Sequence, residues 1–501
     1  MKHEFKFQFL LYILIVMLLL FISSKINLRF DFSKDKIYTL TDYTKTLFNN
    51  VPEKLTLTWI CSDNIKKYFP TATYLEDILR QYALLNNCNF ETVNSSTLSE
   101  TALQGLNIFP EQIASSSRDE KKLINMYSAL LIEYRGMTKV LPYMFDVQHL
   151  EYTIANNVLA LLEDSEGISE KRSIYILASH NALKDEYQYL LPFLEYDNFV
   201  PIVVQEENID DLKSSIPLIV VGSSFVTDEQ TQMIDAFLQA GGNAAFFVSG
   251  TTIDVHGNWA CVPKQDDKLL TLLSRYGFLV GQDIMLDIFS FPLTMTRNDG
   301  VTSEVITYPF WLRANAEQAD LMQPFFAGYN TLQFYWPSSL DIDTYIAPTA
   351  QSVLKTSTQA KRMIENFITD PFAFSEKDTR KLEKNAYTIA AVSHEKGKIF
   401  VMSDENFLSR CIEFTKSDMN IQIFVSVCQW LCNRESLLAL KNKLSTVKPF
   451  KTFANEKKPN EIKLFARSIN FILVPLMIVA MFLFKMYFQQ KRRSVSEGEK
   501  Q

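Results

Sequence analysis

The chain has 501 residues, a length that accommodates about three domains of ~150 residues each, and its net charge is −7. No basic stripe of the kind that grips a phosphate backbone is present, so nucleic acid is excluded as an expected partner. Apolar residues make up 47% of the chain and charged residues 21%, with only 14 Gly and 17 Pro, which excludes collagen-like and low-complexity classes and predicts that most of the chain folds.

Taken in order, Met1 to Lys6 is short and basic, and Phe7 to Ile22 contains no charge and a single polar residue, Gln8. A helix rising ~1.5 Å per residue needs ~20 residues to cross a ~30 Å hydrocarbon core. Residues 5–24 therefore read as a transmembrane helix in which Lys6 snorkels. A cleaved signal peptide is the alternative, although SSKINLRF after Ile22 offers a poor cleavage site and no lipid-accepting Cys follows the apolar run.

Residues 25–145 read as an N-terminal α/β domain. Leu55, Leu57, Trp59 and Cys61 alternate with Thr56, Thr58 and Ile60, the period-two pattern of a strand. Tyr74, Leu75, Ile78, Leu79 and Tyr82 then recur at helical spacing, and Asn86-Asn87 ends that pattern before a second strand at Asn89 to Val93. This is a βαβ-type beginning. Ala129 to Tyr134 and Thr138 to Leu141 flank Arg135-Gly136-Met137 as a hairpin.

Residues 146–455 read as a second α/β domain. Ile154, Val158, Leu161 and Leu162 form one helical face, and an acidic link from Glu163 to Glu170 leads to an apolar strand, Ser173 to Ala178. There follow helix Asp185 to Tyr196, strands Val200 to Gln205 and Pro217 to Gly222, helix Asp228 to Ala240, Gly241-Gly242 and strand Asn243 to Val248. Strands so uniformly apolar are typical of a parallel sheet covered on both faces, so the expected fold class is a doubly wound parallel sheet. Pro263 to Tyr276 reads as an amphipathic helix, residues 283–358 as an irregular, aromatic-rich insertion, and Tyr387 to His394 as a partner of Lys398 to Met402. SDENFLS then leads to an apolar helix, Ile421 to Cys432.

Residues 468–487 form a second apolar run, interrupted by Pro475 and followed by Lys491, Arg492 and Arg493, and read as a second transmembrane helix. A buried core helix is the alternative. The tail 488–501 is basic and then polar. Two spans and the positive-inside bias put both termini in the cytoplasm, so the chain is expected in the cytoplasmic (inner) membrane, in contact with the lipid bilayer, with its large domain extracytoplasmic.

Chemistry-bearing motifs are sparse. No G-x-x-x-x-G-K-[ST] phosphate loop occurs, so the chain does not hydrolyse ATP by that device. His3, His149, His180, His256 and His394 contain no pair at zinc-ligand spacing, and the scattered Cys61, Cys88, Cys261, Cys411, Cys428 and Cys432 read as core thiols. Gly222-Ser223-Ser224 and Ser249-Gly250 close two strands without matching G-x-S-x-G. His180 follows another strand at the edge where open α/β sheets bind ligands. Asp404 and Glu405 follow a fourth, where turn and helix capping explains them better than acid–base work. Catalytic, cofactor and metal residues are accordingly expected to be none. The competing class is a membrane-tethered envelope hydrolase built on Ser224, Ser249 or His180.

Several local patterns carry a family resemblance. They are LRFDFSKDKIYTLTDYTKTLF after the first apolar run, PLIVVGSSFVTDEQTQMIDAFLQAGGNAAFFV, LLSRYGFLVGQDIMLD, VMSDENFLSR and the helix ending QWLCNRES. In their order the chain resembles the GldG-type (gliding-motility) auxiliary extracytoplasmic components of bacterial ABC transporters. The resemblance implies an ectodomain similar to a class I glutamine amidotransferase-like sheet without its catalytic machinery. It also implies a non-enzymatic role, in substrate binding or scaffolding, beside an ABC permease subunit and a separate ATPase subunit; no substrate is indicated. Where relatives often read G-H-G-E, this chain has Ser179-His180-Asn181-Ala182, which weakens any ligand role for His180.

Overall fold

A computed structural model describes residues 36–443, apart from 117–120, 205–211, 256, 297–302, 375–376 and 378–379. Its first element is helix Asp42–Asn49, where the Thr41 side chain accepts a hydrogen bond from the Thr44 N–H and so satisfies one of the donors that a helix start leaves open. A four-stranded sheet follows, ordered Cys88–Asn94, Leu55–Cys61, Ser128–Tyr134, Met137–Leu141. The first pair is parallel, with Leu55 opposite Cys88, because helix Thr71–Tyr82 carries the chain back between them. That helix buries Tyr74, Leu75, Ile78, Leu79 and Tyr82, its apolar stripe. The last pair is a hairpin with Tyr134 opposite Met137. Arg135 and Gly136 turn it with φ of 49° and 77°, the two positive angles that match a two-residue turn to strand twist.

The central sheet has seven strands in the order Gln351–Lys355, Thr388–Ser393, Ile399–Met402, Ala244–Phe247, Leu218–Val221, Ser173–Ala178, Val200–Val203. The five from Ile399–Met402 onward are mutually parallel, with Phe246 opposite both Val220 and Val401. Alternate residues feed two cores. Ile174, Ile176, Ile219, Val221, Phe247 and Met402 face helices Leu190–Tyr196 and Met419–Leu431, while Leu177, Leu218, Val220, Phe246 and Val401 face helices Asp228–Gln239 and Lys268–Arg275. Burial on both faces is why the inner strands Leu218–Val221, Ala244–Phe247 and Ile399–Met402 are apolar at every position.

The expected fold class needs correction on two counts. The central sheet is mixed, because Thr388–Ser393 runs antiparallel to both neighbours, and several smaller sheets accompany it, giving a mixed α/β fold. In addition, no helix among the described residues is long and apolar enough to cross a membrane. The spans expected at 5–24 and 468–487 lie outside the described residues.

The stretch expected to be irregular, 283–358, is also built of strands. The thirteen-residue strand Ser303–Asn315 pairs with Ser290–Thr296 on one side and Thr331–Tyr335 on the other. It brings Tyr308 and Trp311 against Trp259 and Trp336, whose ring centroids lie 5.1 Å apart edge to face. Tyr308 Oη accepts from Trp336 Nε1 at 2.7 Å and donates to the Thr369 carbonyl at 2.6 Å, so the polar ends of both buried rings are satisfied.

The beginning and end of the described residues meet at Glu151. Its Oε1 accepts from Thr41 N (2.7 Å) and Thr41 Oγ1 (2.6 Å), and its Oε2 accepts from Lys443 Nζ (2.6 Å).

Candidate functional site

Parallel strands end together, so their following loops share one edge, the place where open α/β sheets hold ligands. Here that edge gathers the loops after Ala178, Val221, Phe247 and Met402. After Val221 the chain turns at Gly222, with φ of +79°, where a Cβ would come within 3.8 Å of Tyr187 Oη and 3.9 Å of Glu405 Oε2. After Phe247 it runs into the hairpin Thr251–Ile253 and Cys261–Pro263, which folds back so that Lys264 N donates to the Gly250 carbonyl at 2.9 Å.

That return delivers Lys264 into the edge. Its Nζ donates to Glu405 Oε2 at 2.6 Å and to Ser223 Oγ at 2.9 Å. Ser223 Oγ in turn donates to Asp267 Oδ2 at 2.6 Å, while Asp267 Oδ1 accepts from Leu270 N and caps helix Lys268–Arg275. Glu405 N donates to Ser249 Oγ at 2.9 Å. Beside it Asp404 is fully buried, accepting from Tyr335 N at 2.7 Å and Asn406 N at 2.9 Å.

Burial sets the electrostatics. It pushes the Glu405 carboxyl above the usual carboxylate range, with Lys264 opposing the shift and Asp267 adding to it. Asp404 is raised well above that range, again by burial, against the hydrogen bonds it accepts. Tyr187 is raised by burial, with Glu405 adding to it.

An amine, a hydroxyl and carboxylates in mutual contact are the raw materials of an activated serine. The wiring opposes that use. Lys264 is held as the counter-ion of Glu405, the Ser223 proton is directed to a helix-capping carboxylate, and Ser223 is 2% exposed, which leaves no approach for an incoming carbonyl. The cluster works as a plug in which one ammonium, carried just after Pro263, joins the loops that follow Val221 and Met402.

The residues singled out in sequence are not assembled into a site. Ser224 is exposed. His180 is exposed too, at the start of the short helix His180–Lys184. Ser249 is buried, with its hydroxyl accepting from Glu405. Among the described residues no hydrogen bond joins any two of these three. Asp404 caps the turn Glu405–Leu408, as its position suggested, whereas Glu405 belongs to the ion pair. Ser223 lay in the Gly222-Ser223-Ser224 motif but was passed over for Ser224, and Lys264, Asp267 and Tyr187 were missed; of these three only Asp267 carried a signal, a capping residue just before the apolar spacing of KLLTLLSR. Among the described residues no group of three or more His, Cys, Asp or Glu is arranged to hold a metal ion.

Comparison with known proteins adds a family. Residues 34–133 match a domain of unknown function. An uncharacterized protein of Borreliella burgdorferi strain B31 is 21% identical over 507 residues, covering 96% of this chain and 97% of that one. Among solved structures, a "thua-like protein" of Bacteroides uniformis ATCC 8492 covers 52% of this chain and 90% of its own at 12% identity, with a TM-score of 0.28. Residues 171–425, just over half of the chain and all of the central sheet, match the model described as "ABC-type uncharacterized transport system". The chain belongs to that family of ABC-transporter auxiliary components.

Proposed function

We propose that the chain is a non-enzymatic auxiliary subunit of an ABC-type transport system, of the GldG type that its sequence resembles, acting beside a permease and a separate ATPase. The observation that carries this reading is the plugged sheet edge. Lys264, Glu405, Ser223 and Asp267 satisfy one another where a catalytic or nucleotide-binding α/β protein would keep an open crevice. The lack of a phosphate loop in all 501 residues supports the division of labour, since ATP must then be consumed by another chain. On this reading the described residues work at the extracytoplasmic face of the cytoplasmic membrane, and protease added to spheroplasts cleaves them.

Purification of the tagged full-length chain in mild detergent tests the assignment. A permease and an ATPase are expected to co-purify in fixed ratio. Repeated recovery of the chain alone overturns the reading. Substituting Ser223, Ser224, Ser249 or His180 by Ala is expected to leave the assembly and the cellular phenotype intact.

A further inference from the structure

Away from the sheet edge, a cavity of about 220 Å³ opens between helices Leu150–Ser165, Leu190–Tyr196 and Met419–Leu431. It is smaller than the roughly 300–1,000 Å³ of drug-sized sites, so its occupant is a molecule of a few heavy atoms. Its polar groups fall into two sets of opposite sign.

The positive set is Lys441 and a helix start. Lys441 is 7% exposed, and burial lowers its ammonium from the ordinary value with Asp197 opposing; its Nζ donates to Ser426 Oγ at 2.8 Å and stands 4.3 Å from the centre of the Tyr152 ring. Tyr152 and Thr153, in the first turn of the sixteen-residue helix Leu150–Ser165, also line the cavity. The N-cap residue, His149, gives that helix no side-chain cap. The first-turn carboxylate, Glu151, is engaged by Thr41 and Lys443 instead. About half a positive charge therefore remains at this terminus.

The negative set is three carboxylates. Asp197 accepts from Tyr152 Oη at 2.8 Å and from Gln429 Nε2 at 2.8 Å, and burial raises its carboxyl above the usual range, with Lys441 opposing. Asp146 and Asp418 stand exposed on the rim. The His149 ring bonds to the Lys441 backbone. Ile421 and Val425 supply a buried apolar wall.

A simple anion would meet three carboxylates here, and a simple amine would meet an ammonium and a helix start. We propose that the cavity binds a small amino acid as its zwitterion, with the carboxylate toward Lys441 and the first turn of Leu150–Ser165 and the ammonium toward Asp197, Asp146 and Asp418. A short apolar side chain lies on Ile421 and Val425. The site goes beyond the transport assignment, because the cavity accepts or refuses the amino acid whatever chains assemble around it.

Titration calorimetry of the full-length chain with L-alanine, and separately with its two halves ethylamine and propionate, tests the proposal. Saturable binding of alanine is expected, with each half binding at least about ten-fold more weakly, since each forfeits one set of charge-assisted hydrogen bonds. Lys441→Met and the rim variant Asp418→Asn are each expected to weaken alanine binding by about ten-fold; Asp418 is exposed, so its variant keeps the fold. Failure of alanine to bind, equal binding by ethylamine or propionate, or unchanged affinity in Asp418→Asn overturns the proposal.

Discussion

Lys264 Nζ and Glu405 Oε2 lie 2.6 Å apart across 141 residues of chain, and their side chains are 4% and 15% exposed. Removing one partner of a buried ion pair leaves the other charge without water or counter-ion, which costs about 3–5 kcal/mol. Lys264→Met is therefore expected to destabilise the fold by about that much in guanidinium denaturation. The double variant Lys264→Met with Glu405→Gln removes the orphaned charge and is expected to recover part of the loss. A double variant no more stable than the single one counts against the ion pair as the joint of this edge.

Asp404 provides a pH prediction. Burial raises its carboxyl well above the ordinary value of 3.8, so the folded state holds this proton more tightly than the unfolded chain does. Its contribution to stability is complete below pH 3.8 and is lost as pH rises through the folded-state value. Asp404→Asn carries no such proton. The stability of the wild type minus that of Asp404→Asn is expected to shrink steadily as pH rises from 3.8, in denaturation midpoints taken at a series of pH values. A difference that is flat or grows with pH contradicts the assignment.

The hydroxyl of Tyr308 joins Trp336 to the Thr369 carbonyl inside the aromatic insertion. Tyr308→Phe keeps the ring packing and strands the indole N–H, for which a buried unpaired group costs about 1–3 kcal/mol. A loss of that size in thermal or chemical unfolding is expected, with the native fluorescence of the neighbouring tryptophans retained.

Gly250 sits where two backbones touch. A Cβ there would lie 1.9 Å from the Gly281 carbonyl oxygen, and a backbone atom has no rotamer through which to retreat. Gly250→Ala is expected to destabilise by about 1–3 kcal/mol or more, as forced overpacking does. Gly105→Ala, where nothing lies within 4 Å, is the control and is expected to be near neutral. Comparable melting temperatures for the two variants refute the close-approach account.

The strands of the central sheet were legible because burial on both faces makes Ser173–Ala178, Leu218–Val221 and Ala244–Phe247 apolar at successive positions, a pattern visible without any partner. The hairpin between Thr388–Ser393 and Ile399–Met402 was legible too. That its second strand joins the parallel sheet and turns it mixed was not, since choice of neighbour is a long-range matter. Ser303–Asn315 was hidden by Tyr308, Phe310, Trp311 and Leu312, which crowd both faces and blur the period of two, and by Pro309 inside the strand. At the candidate site, the sequence pointed to the correct sheet edge through Gly222-Ser223-Ser224 and Asp404-Glu405. It could not choose Ser223 over Ser224, because the groups that bury and bond Ser223 stand 41 and 44 residues away.

Glu151 is also a mechanical junction. With Thr41 on one of its oxygens and Lys443 on the other, one carboxylate fastens both ends of the described residues to helix Leu150–Ser165, while Gln81 also holds the first end to helix Thr71–Tyr82 through the Tyr38 carbonyl.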